Sequence, residues 1–252
     1  MQIQLIRSAT LRIEYAGHTF VIDPYLAAKH TRPSFAGKSP NPLVDLPCPP
    51  LDVIADIEMV IVSHLHSDHF DPVAQELLPK ETLILCQPDD EQFISAKGFS
   101  KAVSVNQEIN WEGITIIRAP CEHGSGEVLK EMGNALGFVF RSPDEPTVYW
   151  AGDTIWCEAV SNAISEYQPD IIVTHSCGAV WGQQVLIVMD AAQTVEVCRA
   201  APNSIVIATH MDSLDHATVS RRDLRDYAEA NGIQPEQLRI PLDGERIIFE
   251  GG

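Results

Sequence analysis

Three things are scarce in this 252-residue chain: long apolar runs, positive charge and paired cysteines. The longest apolar stretches, such as Ile171-Ile172-Val173 and Val185-Leu186-Ile187-Val188-Met189, fall far short of the ~20 residues that a bilayer-spanning helix needs. A membrane span is therefore not expected. The opening Met1-Gln2-Ile3-Gln4-Leu5-Ile6-Arg7 lacks a basic stretch followed by a long apolar one, so no secretory signal is visible and a cytoplasmic protein is expected. Only 17 basic residues face 35 acidic ones, a formal charge of −18. That field repels phosphate backbones and speaks against binding to nucleic acid or to an anionic membrane. The acidic residues are spread along the chain, as on a solvated surface. The six cysteines, Cys48, Cys86, Cys121, Cys157, Cys177 and Cys198, form no CxxC pair, and a chain of this length needs no disulfide staples, so reduced thiols are expected.

What is present fits one globular domain over residues 1–252, since 45% of the residues are hydrophobic and no linker or short repeat divides the chain. Residues 2–22 read as a meander of Gln2–Ile6, Thr10–Tyr15 and His18–Ile22, with Ala16-Gly17 as a turn. A Pro-rich insertion follows at about 24–52, carrying Pro33, Pro40, Pro42, Pro47, Pro49 and Pro50; loops of such length are disordered or functional. Beyond it, strands are expected at Met59–Val62, Thr82–Cys86, Ile114–Arg118, Thr147–Ala151, Ile171–Thr174, Ser204–Ala208 and Arg246–Phe249. Helices are expected at Pro72–Leu78, Ile155–Tyr167, Ala191–Ala201 and Ser220–Asn231, the last closed by Gly232. This order predicts an α/β domain of layered sheets with outer helices.

The densest chemistry is Ser63-His64-Leu65-His66-Ser67-Asp68-His69, directly after the apolar Met59–Val62. Imidazole and carboxylate both suit zinc and its neighbours. Four more apolar segments run into potential ligands: Cys121-Glu122-His123, Gly152-Asp153-Thr154, His175-Ser176-Cys177 and His210-Met211-Asp212. Ligands gather beyond the carboxyl ends of strands in α/β sheets, so these loops can converge on one cleft. In an extended turn, His64 and His66 can chelate one ion while Asp68 and His69 face a second. A carboxylate such as Asp153 can bridge two cations, which then share and acidify a water. A structural zinc site closes four positions with Cys-rich ligands; here the candidates are His and Asp and exceed what one ion needs.

These residues resemble the metallo-β-lactamase superfamily. The HxHxDH signature stands as His64-Leu65-His66-Ser67-Asp68-His69, and His123, Gly152-Asp153 and His210 follow in family order. The resemblance implies a four-layer αβ/βα sandwich with the metals at one edge between two sheets. It implies His64, His66 and His123 as ligands of one metal, Asp68, His69 and His210 as ligands of the other, and Asp153 as the bridge. Asp23 matches an Asp that braces a ligating imidazole, a role that fixes tautomer and direction. Within the superfamily the chain looks most like the compact group that includes L-ascorbate-6-phosphate lactonase (UlaG-like proteins), through Asp23-Pro24 before the Pro-rich insertion, the Asp153-Thr154 step and His210-Met211-Asp212.

The resemblance implies a metal-dependent hydrolase acting on a small-molecule substrate. A hydroxide bridging two divalent ions would attack a carbonyl (lactone, ester or amide) or a phosphoester, with Asp68 orienting it or taking its proton. Zinc is the first expectation, with manganese and iron as alternatives. A non-catalytic metal-binding protein and a diiron-type redox protein stand as competing functions. The redox relatives carry Glu where this chain has His66. His175 falls outside the family ligand set and can be a leaving-group acid, a substrate contact or a structural residue. His216 is expected on the surface or behind the ligands, and His30 can line the cleft. Trp181 and the segment 32–50 are expected as cleft walls. Cys121 and Cys177 flank ligand candidates. Oligomeric state is open, a homo-oligomer included.

Overall fold

Alternating apolar and polar side chains build the first strands. β1 (Gln2–Arg7), β2 (Thr10–Tyr15) and β3 (His18–Ile22) pair antiparallel. In β2, Leu11, Ile13 and Tyr15 are buried while Arg12 and Glu14 are not. Ala16 and Gly17 both take positive φ, 51° and 81°, as a two-residue turn between twisted strands requires. The chain continues through α1 (Pro50–Val53), β4 (Met59–Val62), α2 (Pro72–Leu77), β5 (Leu83–Cys86), α3 (Asp90–Ala96), β6 (Lys101–Ser104), β7 (Glu108–Trp111), β8 (Ile114–Pro120), α4 (Gly126–Met132), β9 (Leu136–Ser142) and β10 (Glu145–Trp150). It ends with α5 (Glu158–Tyr167), β11 (Ile171–His175), the small hairpin β12 (Val180–Trp181) and β13 (Val185–Leu186), α6 (Ala191–Ala200), β14 (Ile205–Thr209), α7 (Arg221–Ala230), β15 (Leu238–Arg239) and β16 (Arg246–Ile248). The computed structural model describes residues 1–249.

The strands form two seven-stranded sheets, in the orders β16-β1-β2-β3-β4-β5-β6 and β15-β14-β11-β10-β9-β8-β7. Each sheet is antiparallel on one side and parallel on the other: β3-β4-β5-β6 and β10-β11-β14-β15 are the parallel halves. Their central strands are covered on both faces, which is why β4 and β11 are buried at every residue and read as unbroken apolar runs. Between the sheets, Phe20, Ile22 and Ile61 pack with Phe138, Phe140 and Trp150. Outside the first sheet, Val60, Val62 and Ile84 meet Ala74 and Ile94 of the helices. Outside the second, Ile172, Val206 and Ala208 meet Val160, Val195 and Leu224. The result is the four-layer αβ/βα sandwich.

The expected helix at Ile155–Tyr167 begins three residues late, at Glu158. The N–H of Ile155 donates to the Glu122 carbonyl (2.9 Å) and that of Trp156 to Gln193 Oε1 (3.0 Å), so tertiary partners take the groups a helical first turn would use. The Pro-rich insertion carries no helix or strand from Asp23 to Pro49 beyond a single Arg32–Asn41 bridge, and its end is the helix α1. It is nonetheless tied down. The buried Arg7 guanidinium donates to the carbonyls of Tyr25 (2.9 Å), Ala27 (2.8 Å) and Val44 (3.1 Å). The Asp215 carboxylate accepts from the Ser34 hydroxyl, from the N–H groups of Phe35, Ala36, Lys38 and Ser39, and from the Asn41 amide. Among the described residues, no helix is long and apolar enough to cross a membrane.

Candidate metal centre

Every ligand candidate sits just past the carboxyl end of a strand. Asp23 follows β3, the His64–His69 motif follows β4, and His123 follows β8. Asp153 follows β10, His175 closes β11, and His210 follows β14. The two sheets face each other, so these ends meet at one edge of the sandwich. Two backbone positions there are unusual. Asp23 (φ 48°) and His210 (φ 62°) adopt the left-handed conformation that non-glycine residues avoid. Each is held by a backbone bond, Asp23 N–H to the Ile61 carbonyl and His210 N–H to the Ser8 carbonyl, both 2.9 Å. Ahead of Asp153, Gly152 also has positive φ (69°), and a Cβ there would lie 2.7 Å from the Leu136 carbonyl oxygen and 2.8 Å from the Trp150 ring. Only glycine permits that turn.

The side chains gather into overlapping groups. The ligating atoms of His64, His66 and His123 lie within 4.8 Å of one another, and so do those of Asp68, His69 and His210. Asp153 stands between them. Its Oδ2 is 3.8 Å from His64 Nε2, 3.5 Å from His123 Nε2 and 3.2 Å from His69 Nε2, and its Oδ1 is 3.8 Å from His210 Nε2. Asp68 Oδ2 lies 3.6 Å from His69 Nε2 and 3.5 Å from His210 Nε2. All seven residues that the sequence pointed to are thus brought to one spot, and six of them are buried, His66 partly.

Hydrogen bonds behind the rings fix which nitrogen faces inward. Asp23 is the hub. Its Oδ1 accepts from the Ser63 N–H (2.8 Å), and its Oδ2 accepts from the Ser63 hydroxyl and from His69 Nδ1, both 2.7 Å. With its proton given to Asp23, the Ser63 oxygen accepts from His64 Nδ1 (2.9 Å). His123 Nδ1 donates to the Ile187 carbonyl (2.7 Å), and His210 Nδ1 faces the Cys177 sulfur at 3.6 Å. Cys177 therefore lies behind His210, and Cys121 Sγ points at the Asp153 carbonyl (3.6 Å). Each Nδ1 proton leaves an Nε2 lone pair turned toward the cluster, the tautomer a metal ligand needs.

The donor set fits divalent cations. His64 Nε2 and His66 Nδ1 are 2.9 Å apart, and His69 Nε2 and His210 Nε2 are 3.4 Å apart, so ring nitrogens converge on one another around the Asp153 carboxylate. Burial pushes the His64, His66 and His123 rings below their ordinary range, toward the neutral form that binds metal. Burial acts the same way on His69, but Asp153, Asp68 and Asp23 outweigh it and raise that ring to about 10. His210 is raised too, by Asp153 and Cys177 against burial. Three buried carboxylates at one spot demand positive charge, which these imidazoliums or metal ions can supply.

His175, the residue expected as a possible leaving-group acid, does not line the cleft, and with Asp153 and His210 it forms a further group whose ligating atoms lie within 4.8 Å of one another. It is 1% exposed and lies behind Asp153, its Nδ1 donating to Asp153 Oδ1 at 2.5 Å. Burial lowers it to about 4 despite that carboxylate, and its Nε2 is buried without a partner. Outside the seven ligand candidates, the histidine that lines the cleft is His216. With Phe35, Glu131, Met132, Trp181 and Ile187 it surrounds a cavity of ≈240 Å³ whose floor holds His66, Asp68, His123 and Asp153. The expected walls, Trp181 and the insertion through Phe35, are there; His30 is exposed and away from it. A larger cavity of ≈500 Å³, between Ser161 and Ser204 at the ends of α5 and α6, holds no metal-binding cluster. Ser63 and Cys177, neighbours in sequence of His64 and His175, were findable by adjacency; the Ile187 carbonyl carries no sequence signal.

Known proteins resemble this chain along its whole length. The chain is 37% identical over 255 residues to the UPF0173 protein YddR of Bacillus subtilis (strain 168), covering 99% of this chain and 100% of that protein. Its fold matches the crystal structure of a possible metal-dependent hydrolase from Veillonella parvula DSM 2008, with TM-score 0.94, 34% identity and 98% coverage of both chains. It also matches an isothiocyanate hydrolase from Delia radicum gut bacteria, with TM-score 0.93, 35% identity and 100% coverage of both. The model of the β-lactamase superfamily domain matches residues 18–211, a span that takes in every ligand candidate from the His64 motif to His210, and the chain belongs to that superfamily.

Proposed function

We propose that the protein is a metal-dependent hydrolase with two neighbouring metal positions that share Asp153. The observation that carries this reading is the pair of triads on either side of one carboxylate, at the floor of a cleft. His64, His66 and His123 would hold one ion, and Asp68, His69 and His210 would hold the other. Two divalent ions there would acidify a shared water and polarise the carbonyl or phosphoester under attack. Asp68 reaches the cleft beside His69 and His210, where it orients the nucleophile or takes its proton. Asp23 aims His69 directly and His64 through Ser63. His175 steadies Asp153 from behind. His-rich ligation suits zinc, with manganese and iron as the other occupants the donors accept.

The relative described as an isothiocyanate hydrolase adds a specific electrophile, the central carbon of an N=C=S group, to the carbonyls and phosphoesters. Metal-loaded protein is to be screened against lactones, thioesters, amides, phosphodiesters and isothiocyanates. Elemental analysis should find about two transition metals per chain on this ligand count. Asp153→Ala should lose both metal and turnover. Wild-type turnover in that variant would remove Asp153 as the shared ligand.

A further inference from the structure

We infer that the cleft selects substrates whose part remote from the reacting group is small, uncharged and apolar, and that it turns away phosphorylated or carboxylated ones. The inference rests on the hydrolase reading and narrows it. The walls above the metal-ligating floor are Phe35, Met132, Trp181 and Ile187. No Lys or Arg lines the cavity. The basic residues near the lining residues in sequence stay off it: Arg32 faces the Asp71 carboxylate at 3.8 Å, Lys38 is exposed, and Lys130 is exposed beside Glu127 at 2.8 Å.

A phosphate or carboxylate on the remote end of a substrate would lose water in this cleft and find no partner. It would also meet the Glu131 carboxylate, in a chain of net charge −18. Positive charge at the floor serves the reacting group and the carboxylates of Asp68 and Asp153 already there. An alkyl or aryl end gains instead by covering the four apolar walls. The volume, ≈240 Å³, lies below the ~300–1,000 Å³ of pockets for drug-sized ligands, so the substituent is small. Glu131 does not make an enclosed cation site: it is exposed at the rim, and its Oε2 accepts from the Trp181 indole N–H at 3.0 Å. The remaining polar lining groups are the uncharged Ser67 hydroxyl and His216, which packs edge-on against Phe35 with ring centroids 5.0 Å apart.

The test is calorimetric binding of hydroxamates to the zinc-loaded full chain, since hydroxamates share one metal-seeking head and differ in the remote end. Hexanohydroxamate and benzohydroxamate should bind at least about tenfold more tightly than the monohydroxamate of succinate, the penalty for an unpaired desolvated charge. Phe35→Ala and Met132→Ala should narrow that gap with zinc content unchanged, and Glu131→Lys should bring the succinate probe to parity or ahead. Equal or tighter binding of the succinate probe or of an ammonium-bearing hydroxamate overturns the inference, as does a gap untouched in both alanine variants. Thioesters with alkyl, carboxylate and phosphate ends are to be run in parallel. A protein that hydrolyses nothing yet keeps the hydroxamate preference refutes the hydrolase reading and leaves the selectivity standing. One that hydrolyses the anionic thioesters fastest does the reverse.

Discussion

Asp23 shows how much one buried side chain can organise. It takes hydrogen bonds from the Ser63 N–H, the Ser63 hydroxyl and His69 Nδ1, and so directs two imidazoles, His69 directly from 46 residues away and His64 through Ser63. Partners of this kind are worth about 10–100-fold in metal affinity. Asp23→Ala should weaken metal binding by that factor in competition with a chelator. Unchanged affinity would show that the rings hold their direction without it. The sequence exposed Asp23 through its place after an early strand, and the seven ligand candidates through their order. It assigned His175 and His216 the other way round, offering His175 as an acid or substrate contact and placing His216 on the surface or behind the ligands. Both follow the motif at strand ends or in loops, yet one is sealed behind Asp153 and the other faces the cleft.

At the scale of elements, the Pro-rich segment is held by a carboxylate rather than by a strand or helix. Burial raises the Asp215 pKa, but the Ser34 hydroxyl, the Asn41 amide and the N–H groups of Phe35 and Lys38 outweigh that and hold it below the usual carboxylate range. The folded value is thus depressed relative to the unfolded chain. The stabilisation is fully present above the ordinary Asp pKa of about 3.9 and is lost as pH falls through the folded value. Protection against amide exchange at residues 34–41, measured relative to the intrinsic rate at each pH, should be high at neutral pH and fall only in acid below that point. Asp215→Ala should speed exchange there at pH 7 by about tenfold or more, the effect of losing one or two hydrogen bonds to a charged group, with metal content unchanged. Exchange identical to wild type would place the anchor elsewhere, at Arg7. The buried strands β4, β11 and β14 were legible as apolar runs because both faces are covered. β6 and β7 were not, because they are sheet edges and Lys101, Glu108 and Asn110 break the pattern. β9 was missed although five of its residues are buried; it follows the short helix α4, and no turn signal sets it apart.

For the whole molecule, the site is where the two sheets are joined by charge as well as by packing. Asp23, Asp68 and His69 come from the first sheet's strand ends, and Asp153 and His210 from the second's. Metal bound across them, as proposed, would stabilise the folded state by mass action, about 4 kcal/mol at a thousandfold excess over Kd. For a chain of this size that is roughly 10 °C in Tm. Metal loading should raise Tm by that order, EDTA should reverse it, and Asp153→Ala should respond to neither. A Tm indifferent to metal in the wild type would mean that the ions do not bridge the sheets.

The sequence by itself determined the candidate donors, their order and the buried strands that most of them follow, and hence the metal-dependent hydrolase expectation. Those signals are local: an apolar run, then His and Asp within a few residues. The tertiary structure decided which nitrogen of each ring faces inward, which histidine reaches the cleft, and that the cleft walls are apolar and free of cations. These depend on pairs such as His69 and His210, 141 residues apart, and on Phe35 and Trp181 meeting over one floor. No local pattern encodes such meetings, because they arise only when two packed sheets bring the ends of distant strands together.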